Sequence, residues 1–415
     1  MSDTKPTALI FGGLNTYSRA LAAHLVPLQG EALVSHVRIV DKYSVKPPTT
    51  YIGAEFPKIL DKPEVDYHQA NVTVASTIAS MFDPPEGVAG YDYVFDFTGE
   101  IRPDRPEKIH IQWTFNVARM IAIEAAKRKV KSYVRLQLPF YETSSKSSAT
   151  HDEKEDCKPE GSIGTWWHET LRMLAAMEDL NVVVLRIGHA YGPYVNFGIV
   201  PTVITVAAVY GYLKKPMKSL WGPGKHGSNT VHTDDVSAAM WACAEWMAPL
   251  GRKAADEKAG EQIPFHNDKS KVSEVEGMVS DKDNVTLPLF NLVDDSDSTF
   301  ASAGSTITEV FGTTFEFFNF FENTVLKMVD VVEDINEHHV GGWTDMIQKS
   351  NPPIPNTPLS AYMDAYQLEK HVVAFNNAKI KQVLGHTLRK PKFEHDAIRD
   401  VVDKWKEEGS WPILE

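Results

Sequence analysis

Short runs of nearly continuous apolar residues alternate with stretches of helical spacing through the first half of the chain. Ala8–Gly12 (ALIFG), Val37–Val40, Val65–His68, Tyr91–Thr98 (YDYVFDFT), Ser132–Leu138 and Asn181–Ile187 (NVVVLRI) predict strands. Between them, Ser18–Leu28 and His110–Lys129 space their apolar residues for one face of a helix. Strands that are apolar on both faces and separated by helices predict the α/β class, a doubly wound parallel sheet covered on both sides. From about Tyr191 the rhythm changes. Gly222–Gly224 and Asn351–Pro358 (NPPIPNTP) are rich in turn residues, and residues 251–284 are charged and poor in apolar positions. That segment is expected to be a solvated insertion or flexible loop. Phe311–Phe321 holds six phenylalanines in eleven residues, which predicts core packing rather than an exposed patch.

A 415-residue chain with 43% hydrophobic and 23% charged residues buries a large core, so disorder is excluded as its default state. No apolar run approaches the ~20 residues of a membrane span, and no secretory signal heads the sequence. Two cysteines, Cys157 and Cys243, exclude a disulfide framework or an all-cysteine zinc site and suit a reducing, cytoplasmic setting. A net charge of −13 argues against general attraction to nucleic acid or anionic membrane.

The candidate chemistry begins at the first strand. A strand, then Gly12-Gly13-Leu14-Asn15-Thr16-Tyr17-Ser18, a helix, a second strand and Asp41 follow the order of a dinucleotide-binding βαβ unit. In such a unit the first glycine permits the tight turn, amides at the helix start face a pyrophosphate, and the acid binds a ribose diol. The fingerprint is altered here, with Asn15 and Ser18 where glycines are usual. Asparagine tolerates positive φ and serine is small, so the turn stays feasible. Asp41 favours NAD over NADP, because a carboxylate repels a 2′-phosphate. The adjacent Lys42 keeps NADP open.

In this order the motifs from residue 7 to 412, broken by the charged segment, resemble the extended short-chain dehydrogenase/reductases, the NAD-dependent epimerase/dehydratase group. Tyr91–Gly99 resembles that family's fourth strand, and Asn116, in TFNVARMIAIEAAKRKVKSYV, matches its helix asparagine. Leu185–Pro193 (LRIGHAYGP) resembles the sixth strand and its Tyr-Gly-Pro turn. Asn229–Met240 (NTVHTDDVSAAM) is similar to the segment leading into a late helix, with Asp235 at the usual acid. Phe290–Leu292 and Asn377–Pro412 look like the closing strand and tail. The resemblance implies a Rossmann domain over residues 1–190, rejoined by 228–247 and 286–312. It also implies a smaller discontinuous substrate domain from 191–227 and 313–415. It adds Asn71, Thr98, Gly99, Asn116, Gln137, Pro139 and His189 to the expected NAD-binding residues, with a small-molecule substrate. It further implies a homodimer paired through His110–Lys129 and Gly161–Met177.

The proton relay of that family is a Tyr with a Lys one helical turn later, the cation lowering the Tyr pKa. On the helix Gly161–Met177 the candidate registers place Gly161 and Thr165, or Gly164 and His168, at those positions. The fifth strand ends Leu136-Gln137-Leu138-Pro139 rather than in serines. Tyr210/Lys214 and Tyr366/Lys370 have the spacing but lie far from this helix, and about one such match is expected by chance. Three readings follow. In the first, Tyr141, His168, Glu169 or His189 transfers the proton. In the second, the site binds a nucleotide without turnover, as a sensor or scaffold. In the third, it serves a non-redox isomerase, lyase or cyclase. Glu169 and Arg172 read equally as a helix-surface ion pair. Lys214, Lys215, Lys218 and Lys225 flank a region that meets the diphosphate in sugar-nucleotide relatives, yet Gly227-Ser228-Asn229 replaces the family's arginine there. His338–His339 lacks the spacing of a zinc site and is expected at a solvated helix end. Residues 144–159 are expected to form a mobile loop over the pocket.

Overall fold

The computed structural model describes residues 5–144, 146, 150–319 and 331–414. Its first half runs β1 (Thr7–Phe11), α1 (Thr16–Leu25), β2 (His36–Asp41), α2 (Phe56–Leu60), β3 (Val65–Gln69), α3 (Ala75–Met81), β4 (Tyr93–Asp96) and α4 (Glu107–His110). A π-helical turn, Ile111–Asn116, joins α4 to α5 (Val117–Lys127). Next come β5 (Ser132–Gln137), the short pair β6 (Tyr141–Glu142) and β7 (Lys158–Pro159), α6 (Gly161–Ala175) and β8 (Val182–Ile187). The second half runs β9 (His189–Tyr191), α7 (Ile199–Leu213), β10 (Met217–Ser219), β11 (Thr230–His232), α8 (Thr233–Ala259), β12 (Gly260–Gln262), α9 (Lys271–Glu274), β13 (Thr286–Leu292), α10 (Phe300–Val310) and β14 (Phe315–Phe317). Helices Val331–Gln348 and His395–Glu407 follow.

Eight strands make one sheet in the order β12-β13-β8-β5-β4-β1-β2-β3, parallel throughout except β12. Successive residues of β1 serve opposite faces, as a pleated strand requires. Ala8 and Ile10 join the core beneath α1 and α8, while Leu9 and Phe11 join the core beneath α5 and α6. Every residue of β5 and β8 is buried, and β8 (VVVLRI) reads as a nearly continuous apolar run, while β5 (SYVRLQ) also buries Ser132, Arg135 and Gln137. Strand order reverses between β1 and β4, so their carboxyl ends open a crevice suited to a ligand. A third core joins α7, α10 and the last helices around Ile204, Ile307, Trp343, Ile398 and Trp405. Asp235 ties this tail to α8 by accepting from the amides of Arg389 (2.5 Å) and Lys390 (3.0 Å).

Two loop expectations are corrected. Residues 251–284 are not a solvated loop. Helix α8 continues to Ala259 through a kink at Gly251, and β12 extends the sheet. The remainder lies on α5 and α6. Buried Arg172 donates to the carbonyls of Ile263 (2.5 Å) and Ser280 (2.8 Å), and Arg119 pairs with Glu276 (2.9 Å). One buried guanidinium thus satisfies loop carbonyls that would otherwise need water. The described part of 144–159, residues 144, 146 and 150–159, lines no part of the crevice. It is fastened to the sheet end, where buried Glu153 accepts from the Asn291 amide at 2.7 Å. Phe311 stacks on Trp411, and Phe315 packs edge-on against Phe317, whereas Phe320 and Phe321 lie outside the described residues. Among the described residues no helix is long and apolar enough to cross a membrane.

Candidate functional site

A cleft of about 550 Å³ opens at the ends of β1 and β4, running from Asp41, Lys42 and Tyr43 past Gly12 and Thr98 to His189. Its floor is the glycine turn. Gly12 has φ +71°, and a Cβ there would come within 2.9 Å of the Phe97 carbonyl group. Only glycine meets both demands. Asn15 does not use positive φ: at φ −75° it caps α1, its side-chain oxygen accepting from the Ser18 amide (2.9 Å) while its Nδ2 donates to the Phe97 carbonyl (3.2 Å). Gly13 packs on β2, since a Cβ would meet the Ile39 side chain at 2.2 Å.

Asp41 closes the same turn from the neighbouring strand. Its carboxylate accepts from the amides of Leu14 (2.9 Å) and Lys42 (2.6 Å) and still lines the cleft. Burial raises its pKa, although these amides and the Lys42 ammonium pull the other way. Lys42 Nζ lies 4.5 Å from the Trp113 ring centre.

Beneath the opposite wall is a fully buried charge pair. Asp96 and Arg135 are register partners on β4 and β5, and Arg135 Nη1 reaches Asp96 Oδ2 at 2.7 Å. The Tyr133 hydroxyl donates to the same oxygen (2.6 Å), and the Thr98 amide and hydroxyl donate to Oδ1 at 2.8 and 2.7 Å. Arg135 in turn underlies the Trp167 ring, 4.8 Å from its centre. The Trp167 indole donates to the Glu100 carbonyl (2.9 Å) and fills the space over Gly99. Trp167 is the residue of α6 that lines the cleft, and Ile163, one turn earlier, is buried in the same core. An apolar pair therefore occupies the helix face nearest the cleft. Neither Gly161 and Thr165 nor Gly164 and His168 take that place.

The cleft gathers Gly12, Asn15, Thr16, Tyr17, Asp41, Thr98, Gly99, Pro139 and His189 from the sequence candidates. Gly13, Ser18, Asn71, Asn116 and Gln137 do not line it. Ser18 is buried in the first turn of α1, exposed Asn71 caps the Thr73 turn, and half-buried Asn116 ends the π turn. Gln137 is buried between Leu136 and Leu138, which do line the cleft.

Of the four proton-transfer candidates His189 lines the cleft and the other three sit elsewhere. Tyr141 is buried, with its ring 5.2 Å from the Arg186 guanidinium and its hydroxyl 3.4 Å from His168 Nδ1. The other His168 nitrogen meets the Pro264 carbonyl at 2.7 Å, and burial lowers its pKa to about 4. Glu169 is buried beside Arg172 (3.5 Å), and burial raises its pKa to about 7 against that guanidinium. His168 and Glu169 belong to the contact between α6 and the segment folded over it, whereas Tyr141 packs on His168, Arg186 and a small core of Cys157, Val293, Val373 and Phe375.

This placement has a consequence for stability. Between pH 4.5 and about 7 folded Glu169 keeps a proton that the unfolded chain releases, so its contribution falls as pH rises through that window. Glu169→Gln removes that loss. The variant should be about 1–3 kcal/mol more stable than the parent at pH 8 and nearly equal to it at pH 4.5. Denaturant melts at both values check this, and equal stability at pH 8 would refute it. His168 acts with the opposite sign: its stability is lost as pH falls from 6.5 towards 4.

Reasoning from sequence also passed over Tyr366. It lines the cleft, and its hydroxyl donates to Glu160 Oε2 (3.1 Å). The other Glu160 oxygen takes His371 Nδ1 (2.9 Å), while His371 Nε2 meets the Tyr366 carbonyl (2.5 Å). Both ring nitrogens face acceptors, which requires the imidazolium. Burial opposes that charge, yet Glu160 and the carbonyl hold the His371 pKa above its ordinary value. His189, beside it, is kept neutral by burial and by His371, its pKa lowered to about 3. The Tyr366/Lys370 spacing was visible in the sequence; the fold brings Tyr366 to the cleft and attaches it to Glu160 rather than to Lys370.

No family model and no curated protein matches the chain by sequence. Solved structures do match by shape. UDP-glucose 4-epimerase of Thermotoga maritima, solved with UDP-glucose, is 13% identical, with a TM-score of 0.59 and coverage of 97% of this chain and 99% of that one. The Bordetella bronchiseptica enzyme WbmG, in complex with NAD and UDP, is 14% identical over 97% and 95% of the two chains, at a TM-score of 0.59. UDP-glucuronic acid 4-epimerase of Bacillus cereus, with UDP-glucuronic acid and NAD, is 11% identical over 97% and 99%, also at 0.59. The sheet order and these likenesses give the chain the fold of these epimerases and of WbmG.

Proposed function

We propose that the cleft binds NAD(H), and that the chain acts as an oxidoreductase or epimerase/dehydratase-like enzyme on a hydroxyl- or carbonyl-bearing carbon of a small molecule. The observation that carries this reading is the Gly12 turn, whose backbone a side chain would push off Phe97, set at the strand-order reversal between β1 and β4. The neighbours crystallised with NAD support the choice of ligand. Gly12 and the start of α1 hold the pyrophosphate, and Asp41 takes the ribose diol, which makes NAD the preferred form and NADP the lesser one. The bound nicotinamide supplies hydride exchange. Proton exchange falls to the residues at the His189 end. There the Tyr366 hydroxyl, held protonated by burial and by Glu160, is the group that hydrogen-bonds the substrate oxygen, with the His371 imidazolium beside that carboxylate. His189, neutral, orients the substrate oxygen.

Thermal unfolding with NAD⁺, NADH, NADP⁺ and NADPH tests this. A ligand at 100 times its dissociation constant adds ~2.7 kcal/mol, so a saturable upward shift with NADH, larger than with NADPH, is expected. No shift with any of the four would sink the proposal. A second reading, nucleotide binding without turnover, is favoured by Ile163 and Trp167 at the helix face nearest the cleft. It predicts the same shift but no consumption of bound NADH by any carbonyl compound. Residues 263–283, held on α5 and α6 by Arg172 and Arg119, cover part of the face expected to pair in a homodimer. The two buried free cysteines fit a cytoplasmic setting.

A further inference from the structure

Behind His189 the cleft continues into a second, smaller chamber of about 80 Å³, the two sharing His189, Ile199 and Gln367. The chamber's wall is apolar and aromatic, with Met217 from β10, Trp221 from the loop after it, Phe300 and Ile307 from α10, Phe315 from β14 and Phe393 from the segment before the last helix. Among the described lining residues Lys218 is the one Lys or Arg, and its ammonium lies 5.8 Å from the Phe318 ring centre. Lys214, Lys215 and Lys225, which a diphosphate would need, do not reach it. At the chamber's edge stands His339, 4% exposed, its Nε2 3.4 Å from the Tyr210 hydroxyl. Its Nδ1 is buried with no hydrogen-bond partner among the described residues. A polar atom buried without a partner costs about 1–3 kcal/mol.

We infer that the substrate is a compact apolar alcohol or ketone, its ring or branched chain seated in this chamber, and not a nucleoside diphosphate sugar. An enclosed pocket of this size holds one ring and discriminates by area removed from water. It offers a diphosphate one cation beside an aromatic ring and would strip its hydration without replacing it. The polar end of the ligand lies towards His189, where the cleft places the reacting carbon. The inference deepens the proposed function by naming its substrate class, but the chamber itself does not depend on the cofactor.

The test uses the full chain and two probes, benzyl alcohol and UDP, titrated calorimetrically with and without saturating NADH. Saturable binding of benzyl alcohol is expected, with UDP at least tenfold weaker. Ala303→Leu, which fills the chamber from α10, should weaken benzyl alcohol at least tenfold while leaving the NADH shift unchanged. Val203→Phe does the same from α7 should the first variant fail to fold. Tighter binding of UDP than of benzyl alcohol, or benzyl alcohol binding that survives both substitutions, overturns the inference. Benzyl alcohol binding with no NADH response in the parent chain would uphold the chamber and reject the cofactor reading. An NADH response with no benzyl alcohol binding would do the reverse.

Discussion

Arg135→Ala should lower the unfolding free energy by about 3–5 kcal/mol, the largest stability loss expected from a single side chain of this protein. The substitution strands Asp96 at zero exposure, its carboxylate left with the Tyr133 and Thr98 donors and no counter-ion. Taking both charges away together avoids that penalty. Asp96→Leu with Arg135→Met should lose well under the sum of the two single changes, because hydrophobic replacement of a buried pair is often neutral. Denaturant melts of the two singles and the double form the cycle. Simple additivity, or a loss under 1 kcal/mol for Arg135→Ala, would show that the pair is not coupled as the geometry requires. The same cycle reports on the site, since Arg135 also supports the Trp167 ring and Thr98. The single variant should therefore weaken NADH as well.

Gly12→Val should reduce NADH affinity at least 100-fold, about 2.7 kcal/mol. Two independent causes act at that position: φ +71° is a conformation valine avoids, and its Cβ would press on the Phe97 carbonyl group that forms the cleft wall. Gly312→Ala serves as the control. Gly312 also has positive φ, at +67°, but no atom lies within 4 Å of its would-be Cβ, and it is remote from the cleft. It should cost stability through backbone strain alone and leave NADH binding intact. Calorimetric titration of both variants decides the matter. Equal NADH affinity in parent and Gly12→Val would remove the glycine turn from the binding site.

Several features were legible in the linear pattern because they are local. The apolar runs at Ala8–Phe11, Val37–Val40 and Val182–Ile187 are strands buried on both faces, and only a covered parallel sheet tolerates such composition. The glycine after β1 and the acid ending β2 meet in space because a βα unit returns the second strand beside the first. Asn15 was found at the turn, though its capping role came from geometry: the side chain replaces a glycine by closing the helix start.

The candidates that failed to reach the cleft failed for want of two kinds of information. Helix rotation is one. His168 and Glu169 follow Trp167 directly, and successive residues on a helix point about 100° apart. The neighbour that reaches the cleft is thus the indole, while the imidazole and carboxylate turn to the segment above. A charge-rich composition gave no sign that this segment would be held down by Arg172. Long-range pairing is the other. Asp96 and Arg135 lie 39 positions apart, and only the β4–β5 register makes them partners.

By itself, then, the sequence determined the α/β class, the turn and acid of a dinucleotide site, and the absence of a Tyr–Lys pair on the helix where it was sought. Tertiary structure decided which side of α6 faces the cleft, brought Tyr366 and Glu160 together from 206 positions apart, and enclosed the apolar chamber behind His189. The physical reason is the range of the interactions. Strand burial and turn conformation are set by residues a few positions apart, whereas proton relays and ligand chambers are made by side chains that meet only once the sheet has ordered its strands and the last helices have closed on α7 and α10.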